Sequence, residues 1–228
     1  MRINKLLSNL GICSRREANR YIEDGRVKVN GALCTPGKWV EETDNILIDD
    51  QPALQKKRVY IALNKPVGIT CTAEKTVKDN IIDYINYPEY IFPIGRLDKL
   101  SQGLIILTND GEFANKIMNS ENDHQKEYVV KVDKPFDDDF IKNMSLGVDL
   151  GDKITRPCKV YRVNDDTFRI IITQGLNRQI RRMSKKFRFN VLELKRIRIL
   201  NLKIDGIEYG EFRNISKEEI DSIMLALD

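Results

Sequence analysis

The feature that most constrains this fold is the run Leu104-Ile105-Ile106-Leu107-Thr108, which follows Gly95-Arg96-Leu97-Asp98-Lys99-Leu100-Ser101-Gln102-Gly103. An apolar run of that length, bounded by turn-forming residues, is a buried strand. The residues before it must then form a loop that holds Arg96 and Asp98 against the edge of a sheet. Flanked by Arg96 and Lys99, Asp98 is expected to stay ionised, because nearby cations favour the charged form. An ionised carboxylate suits a nucleophile or an electrostatic stabiliser better than a proton donor. Taken alone, these residues fit a turn aspartate in a structural ion pair at least as well, so other features must decide.

Composition narrows the chemistry. A chain of 228 residues allows one or two domains, and no apolar run in it approaches the roughly 20 residues that span a bilayer. Met1-Arg2-Ile3-Asn4-Lys5 carries no signal-peptide pattern. Cys13, Cys34, Cys71 and Cys158 are scattered, so they read as free cytosolic thiols and place the chain in the cytoplasm. The single histidine, His124, excludes most metal sites and the Ser-His-Asp template. It is expected on a surface loop without a catalytic role. Reaction chemistry is left to carboxylate, Tyr, Lys or Arg. The net charge of +4 says little, but its distribution says more. Residues 178–198 hold nine Arg or Lys against one acid, Glu193. Acids collect instead at Asp49-Asp50 and Asp137-Asp138-Asp139, the latter at a helix N-terminus where the macrodipole favours them. Basic patches set apart from acidic ones imply a polyanionic partner.

In chain order, Ile3, Leu6, Leu7 and Leu10 have helical spacing, and Gly11 ends that helix. Ser14-Arg15-Arg16-Glu17 predicts a capping box and a second helix to Gly25, with Arg15, Arg16 and Arg20 on one exposed edge. Val27-Lys28-Val29 is a strand running into an Asn30-Gly31 hairpin turn. Trp39-Val40 and Ile46-Leu47-Ile48 are further strands. This order, over about residues 2–49, resembles an S4 RNA-binding domain, which presents its second helix and hairpin to RNA. So small a unit buries only about 60% of its unfolded surface, which predicts marginal stability and mobility. Residues 50–58, polar and broken by Pro52, are the expected linker.

Residues 59–228 alternate strands with short helices. Val59–Leu63 is a strand, ended by a tight basic turn at Asn64-Lys65-Pro66-Val67-Gly68. A short helix over 80–85 precedes the central loop and strand. Thr108-Asn109-Asp110-Gly111 caps a helix carrying Phe113 and Ile117. Strands are expected at 128–132, 159–163, 168–173 and 191–202, and a capped C-terminal helix from Ser216. This is an α+β pattern with a large mixed, mainly antiparallel sheet flanked by helices. In the helix expected over 177–188, Ile180, Met183 and Phe187 form the buried stripe. Arg178, Arg182, Lys185 and Lys186 lie opposite, and Arg181 sits at the margin, where its guanidinium can turn toward a pocket. A solvated helix face normally mixes signs. Five cations without an interleaved acid favour phosphate contact instead.

Four motifs then occur in sequence: Lys65-Pro66-Val67-Gly68; Gly95-Arg96-Leu97-Asp98 through Gly103-Leu104; Lys126-Glu127-Tyr128; and Gln174-Gly175-Leu176-Asn177-Arg178-Gln179-Ile180-Arg181-Arg182-Met183. They resemble the successive motifs of RsuA-like pseudouridine synthases, with the S4-like unit in front. Asn122-Asp123-His124 makes the RluF branch, which acts on a 23S ribosomal RNA stem-loop, the most similar. The long basic tail of some members is absent, and with it any RNA contact such a tail makes. The resemblance implies isomerisation of a flipped uridine to pseudouridine, without cofactor or metal, by a cytoplasmic enzyme, expected to be a monomer, with tRNA as an alternative substrate. Asp98 matches the catalytic aspartate, Tyr128 the tyrosine that stacks on the base, and Arg181 the arginine paired with the aspartate, with Arg178 as the alternative one turn away. Arg96 matches the residue that fills the gap left by the base, and Leu194 the apolar wall beneath it. Together with the charge map, this assigns Arg178, Arg182 and Lys65 to substrate binding. Arg15, Arg16, Arg20, Lys28, Lys185, Lys186, Arg196 and Arg198 are assigned to RNA contact. Whether Asp98 attacks sugar or base stays open. So do two rivals, a non-catalytic S4-type assembly factor and a glycosidase-type enzyme, the latter needing a second carboxylate.

Overall fold

The structure is a computed structural model, and it describes residues 1–41, 43–74, 76–118 and 124–227. At the N-terminus, α1 (Ile3–Asn9) and α2 (Arg15–Glu23) pack on a four-stranded antiparallel sheet of β1 (Val27–Val29), β2 (Ala32–Leu33), β3 (Ile46–Ile48) and β4 (Gln51–Pro52), in the order β2-β1-β3-β4. Asn30 and Gly31 both have positive φ (51° and 82°), which matches the twist of the β1–β2 hairpin. The α2 cap is only half of the expected box. Ser14 Oγ accepts the Glu17 N–H at 3.0 Å, but the Glu17 carboxylate accepts the Tyr21 hydroxyl at 3.4 Å instead of returning to the cap. Trp39-Val40 is not a strand. Trp39 makes one isolated bridge to Arg2 and is 72% exposed. Gln51–Pro52, within the stretch expected as a linker, forms the edge strand β4.

The second unit contains β5 (Tyr60–Lys65), α3 (Ile81–Ile85), β6 (Phe92–Pro93), β7 (Gln102–Thr108), α4 (Gly111–Met118), β8 (Lys126–Val132) and α5 (Asp138–Ser145). It continues with β9 (Lys159–Arg162), β10 (Thr167–Ile172), α6 (Gln179–Lys186), β11 (Val191–Ile199), β12 (Leu202–Lys203), β13 (Phe212–Asn214) and α7 (Lys217–Leu225). The main sheet runs β13-β5-β7-β11-β8-β10-β9, antiparallel throughout except for the parallel β7–β11 pair. Its two faces are both covered. Ile105 and Leu107 join the core that holds Ile180 and Met183 of α6, whereas Leu104 and Ile106 join Phe113 and Ile117 of α4 and Ile223 of α7. That double burial is why β7 reads as an uninterrupted apolar run. The strand expected over 191–202 is broken at Leu200 (φ 51°), where the chain turns from β11 into β12.

Residues 56–58 of the linker are tied to both units near the end of β7. The Asn109 carbonyl oxygen accepts the Val59 N–H at 2.9 Å, and its amide donates to the Lys57 carbonyl at 2.8 Å. Arg58 Nη1 donates to the Asn9 carbonyl at 2.7 Å, and the Lys56 N–H to the Leu10 carbonyl at 2.8 Å.

Gly103 sets the spacing of the sheet centre. Its φ is +108°, and a Cβ there would lie 2.2 Å from the Arg196 carbonyl oxygen and 2.6 Å from the Arg196 nitrogen. Both atoms are backbone, so neither can swing aside. Gly103→Ala should therefore lower stability by about 3 kcal/mol or more, read from urea unfolding midpoints. Gly25→Ala, at φ +70° with nothing within 4 Å, should cost only about 1 kcal/mol. Equal effects at the two positions would show that the close approach does not constrain the sheet.

Candidate active site

The loop before β7 is pinned at four points. Leu97 is buried, and its N–H points at Cys71 Sγ at 3.4 Å. The Ser101 N–H donates to the Asp98 carbonyl at 2.9 Å, and the Gly68 N–H to the Lys99 carbonyl at 2.8 Å. Arg181 Nη2 donates to the Leu100 carbonyl at 2.9 Å. Between these anchors the half-buried Asp98 side chain lines a cleft of about 720 Å³. The Lys99 ammonium turns away from Asp98 to Asp79 at 3.4 Å. Lys65 belongs to β5, not to an exposed turn, and it is fully buried. Its ammonium donates to the carbonyls of Pro66 and Ile69, each at 2.8 Å, so it props up the 66–69 turn from beneath the cleft. Burial lowers its pKa, while Cys71 and Asp98 oppose that shift.

Facing Asp98 are Tyr128 from β8 and Leu194 from β11, both buried and both lining the cleft. Arg96, exposed, and Arg178 complete the rim. Arg178 is the N-cap of α6 in a left-handed conformation (φ 47°), outside the helix proper, which turns its side chain toward the cleft rather than along the solvated helix face. Arg181 stands behind the loop. It donates to the carbonyls of Val191 and Leu100, each at 2.9 Å, and its Nε is buried without a partner. Burial lowers its pKa and Asp98 opposes the shift, so the two groups interact electrostatically. No direct ion pair joins them among the described residues.

Much of the basic cluster is spent inside the protein. Arg196 is 3% exposed, with Nε donating to the Leu104 carbonyl at 2.7 Å, so it is no surface phosphate contact. Arg198 Nε pairs with Glu127 at 2.8 Å, Arg182 with Asp152, and Lys28 with Asp50 at 2.6 Å. Arg16 lies 3.9 Å from Glu74 yet stays 87% exposed. Arg15, Arg20, Lys185 and Lys186 are exposed as expected. His124 is not a surface residue. It is 4% exposed, and Nδ1 lies 2.8 Å from the Ile117 carbonyl. Asn122 and Asp123 lie outside the described residues.

A family model described as RNA pseudouridylate synthase matches residues 59–186, and an S4 domain model matches residues 1–46. The chain belongs to the RNA pseudouridylate synthase family. It is 49% identical over 223 residues to the Dual-specificity RNA pseudouridine synthase RluF of Escherichia coli strain K12, spanning 96% of this chain and 77% of that protein. It is 33% identical to the Ribosomal large subunit pseudouridine synthase B of Bacillus subtilis strain 168, covering 100% of this chain and 97% of the relative. A crystal structure of a pseudouridylate synthase superposes with a TM-score of 0.72 at 27% identity, over 97% of this chain and 98% of the other. The synthase isomerises uridine in RNA, and its RsuA-type catalytic unit and S4 unit follow the motifs that pointed to them.

The sequence alone does not single out Glu127. Its neighbours Lys126 and Tyr128 line the cleft, and Glu127, alternating with them, points to the other face of β8. There it is 4% exposed and bonded to both Arg169 and Arg198. Burial pushes its carboxyl up, but the Arg198 and Arg169 guanidiniums prevail and hold it below the usual carboxylate range. A depressed folded pKa contributes stability that is present above the unfolded value of about 4.3 and is lost as pH falls through the folded value. Glu127→Gln in the synthase should cost about 3–5 kcal/mol at pH 7. Urea midpoints of the wild type should converge on the variant's as pH drops below about 4.3. Parallel pH curves for the two proteins would rule out this pair as a stabilising element.

Proposed function

We propose that Asp98 is the catalytic carboxylate of this synthase, and that its substrates are a stem-loop of large-subunit ribosomal RNA and, secondarily, a tRNA. The observation that carries the reading is a carboxylate facing an aromatic and an aliphatic wall, Tyr128 and Leu194, across one cleft. The cleft volume falls in the range of about 300–1,000 Å³ typical of small-molecule sites, room enough for a nucleoside. The substrate class is supported by the names of the two relatives, one dual-specificity and one ribosomal large subunit.

A stacked base cannot be isomerised, so the uridine is extruded at a cost of a few kcal/mol. Stacking on Tyr128, at roughly 1–3 kcal/mol, offsets much of that. Arg96 at the rim is placed to occupy the space the base leaves. Asp98 then attacks the nucleoside, the C1′–N1 bond breaks, and the pyrimidine turns on Tyr128 and Leu194; C5 joins C1′ as the bond to Asp98 breaks, and the proton lost from C5 is balanced by one gained at N1. Arg178 at the rim and Arg181 behind the loop bring positive charge to the side of the cleft that carries Asp98. Hydrolytic release of uracil requires a second carboxylate to activate water. Among the described residues, Asp98 is the only carboxylate lining the cleft. A purely RNA-binding role leaves that constellation without a purpose.

Asp98→Asn should abolish pseudouridine formation while RNA affinity stays within about threefold of wild type, measured by tritium release from C5 and by filter binding. Turnover by the variant would remove Asp98 from the mechanism. Around α6 the exposed cations are Arg178, Lys185, Lys186 and Arg188. The double variant Lys185→Ala, Lys186→Ala should flatten the slope of log Kd against log salt by about two. An unchanged slope would mean that α6 does not meet the phosphates.

A further inference from the structure

Two cations at the floor of the cleft have no counter-charge. Arg196 faces Tyr128 across the β11–β8 ladder and Gly103 across the β11–β7 ladder, so it sits between the stacking residue and the strand that continues from Asp98. Directly paired residues share a face of the sheet, and Leu194, two positions earlier, shares it too. One donor of Arg196 is used by the Leu104 carbonyl, while Nη2 is buried with no hydrogen-bond partner. Lys126, two residues before Tyr128 and on the same face, also lines the cleft, and its ammonium donates only to the His124 carbonyl at 3.2 Å. Neither cation pairs with a carboxylate among the described residues. Burial and then Arg196 lower the pKa of Lys126, as expected for like charges held close without an anion between them.

Buried unpaired donors cost stability unless something arrives to use them. We propose that Arg196, supported by Lys126, receives the negative charge that builds up on the pyrimidine oxygens during isomerisation. This rests on the reading that the cleft holds the target base. Breaking C1′–N1 sends the bonding pair onto the ring, where it is shared among N1, O2 and O4. Forming C5–C1′ takes that pair back, and the C5 proton ends on N1, so substrate and product are isomers. Whichever atom Asp98 attacks first, the oxygens carry their highest charge mid-reaction and little at either end. A fixed guanidinium donor beside them therefore favours the transition state over bound uridine. The floor is cationic, whereas Arg181, behind the loop, interacts electrostatically with Asp98. The two carboxyl-derived and base-derived charges thus have separate partners.

The test is single-turnover conversion of a stem-loop RNA by the full-length protein, alongside RNA affinity. Arg196→Gln should slow the chemical step by about 10²–10³-fold, with Kd unchanged within threefold. Arg196→Lys should recover at least tenfold of that loss, and Lys126→Gln should slow the step by about tenfold. Placing 5-fluorouridine at the target lets fluorine withdraw part of the charge, so the deficits of Arg196→Lys and Lys126→Gln in C1′–N1 cleavage should shrink. A merely structural role predicts deficits independent of the base. If Arg196→Gln does not fold, the other two variants carry the measurement. Wild-type rates in Lys126→Gln and Arg196→Lys, or losses that fluorine does not change, overturn the proposal. Asp98→Asn run in parallel separates the two readings. If it still turns over, the cleft assignment itself fails. If it is inert while the floor variants react normally, only the charge-receiving role is lost.

Discussion

The parallel contact between β7 and β11 at Gly103 and Arg196 governs the rest of the catalytic unit. The backbones come so close there that no Cβ fits at 103, with the Arg196 carbonyl oxygen only 2.2 Å from where it would lie. This approach joins the strand that follows the Asp98 loop to the strand that supplies Leu194 and Arg196. It is also the one parallel step in an otherwise antiparallel sheet. Loops at both its ends must therefore travel far before they return. Because the strands run in the same direction, the Asp98 loop that leads into β7 and the α6 segment bearing Arg178 and Arg181 that leads into β11 enter at the same end. The cleft lies where these two excursions meet.

Burial then assigns work to charges that sequence spacing alone leaves undivided. Nine cations in residues 178–198 look like one phosphate-binding surface. In the folded protein eight of them fall into three groups, and the ninth, Lys195, is half-buried on β11. Arg178, Lys185, Lys186 and Arg188 face solvent or the rim. Arg182 and Arg198 are consumed by Asp152 and Glu127. Arg181 and Arg196 are held against backbone carbonyls at the cleft. A salt dependence computed from the sequence count would overstate the electrostatic share of RNA affinity, since paired arginines release no counterions.

Local chemistry was the legible part of the chain. The Asn30-Gly31 turn, the Ser216–Glu219 capping box, the buried run of β7 and the α6 stripe all follow from rules that act within a few residues, and all occur. Asp98, Tyr128 and Leu194 could be named from motifs and do line one cleft. What escaped depended on partners distant in sequence. Lys65 appears basic and turn-forming until β7 and β13 pair around its strand and bury it. His124 is drawn inside by a carbonyl seven residues back. Trp39-Val40 has strand propensity, but its neighbour, the Met1–Ile3 segment, turns into α1 and leaves room for a single bridge. Lys99 could serve Asp98 or Asp79, and only the direction of the loop decides.

The hydrogen bonds of Asn109 give β7 a second duty. The strand is seven residues long, about 23 Å at the usual rise. It begins just after the Asp98 loop and ends at the amide that clasps Val59 and Lys57. Because its neighbours on both sides are paired, this rod can neither stretch nor bend appreciably. The linker is held at its far end, and through Arg58 and Lys56 the linker in turn bonds the Asn9 and Leu10 carbonyls, so the small unit is tethered at the end of β7 opposite the carboxylate. Any swivel between the units has to be absorbed by residues 53–58 and by breaking the Asn109 clasp. The chain thus carries its own calliper, with one jaw at each end of β7.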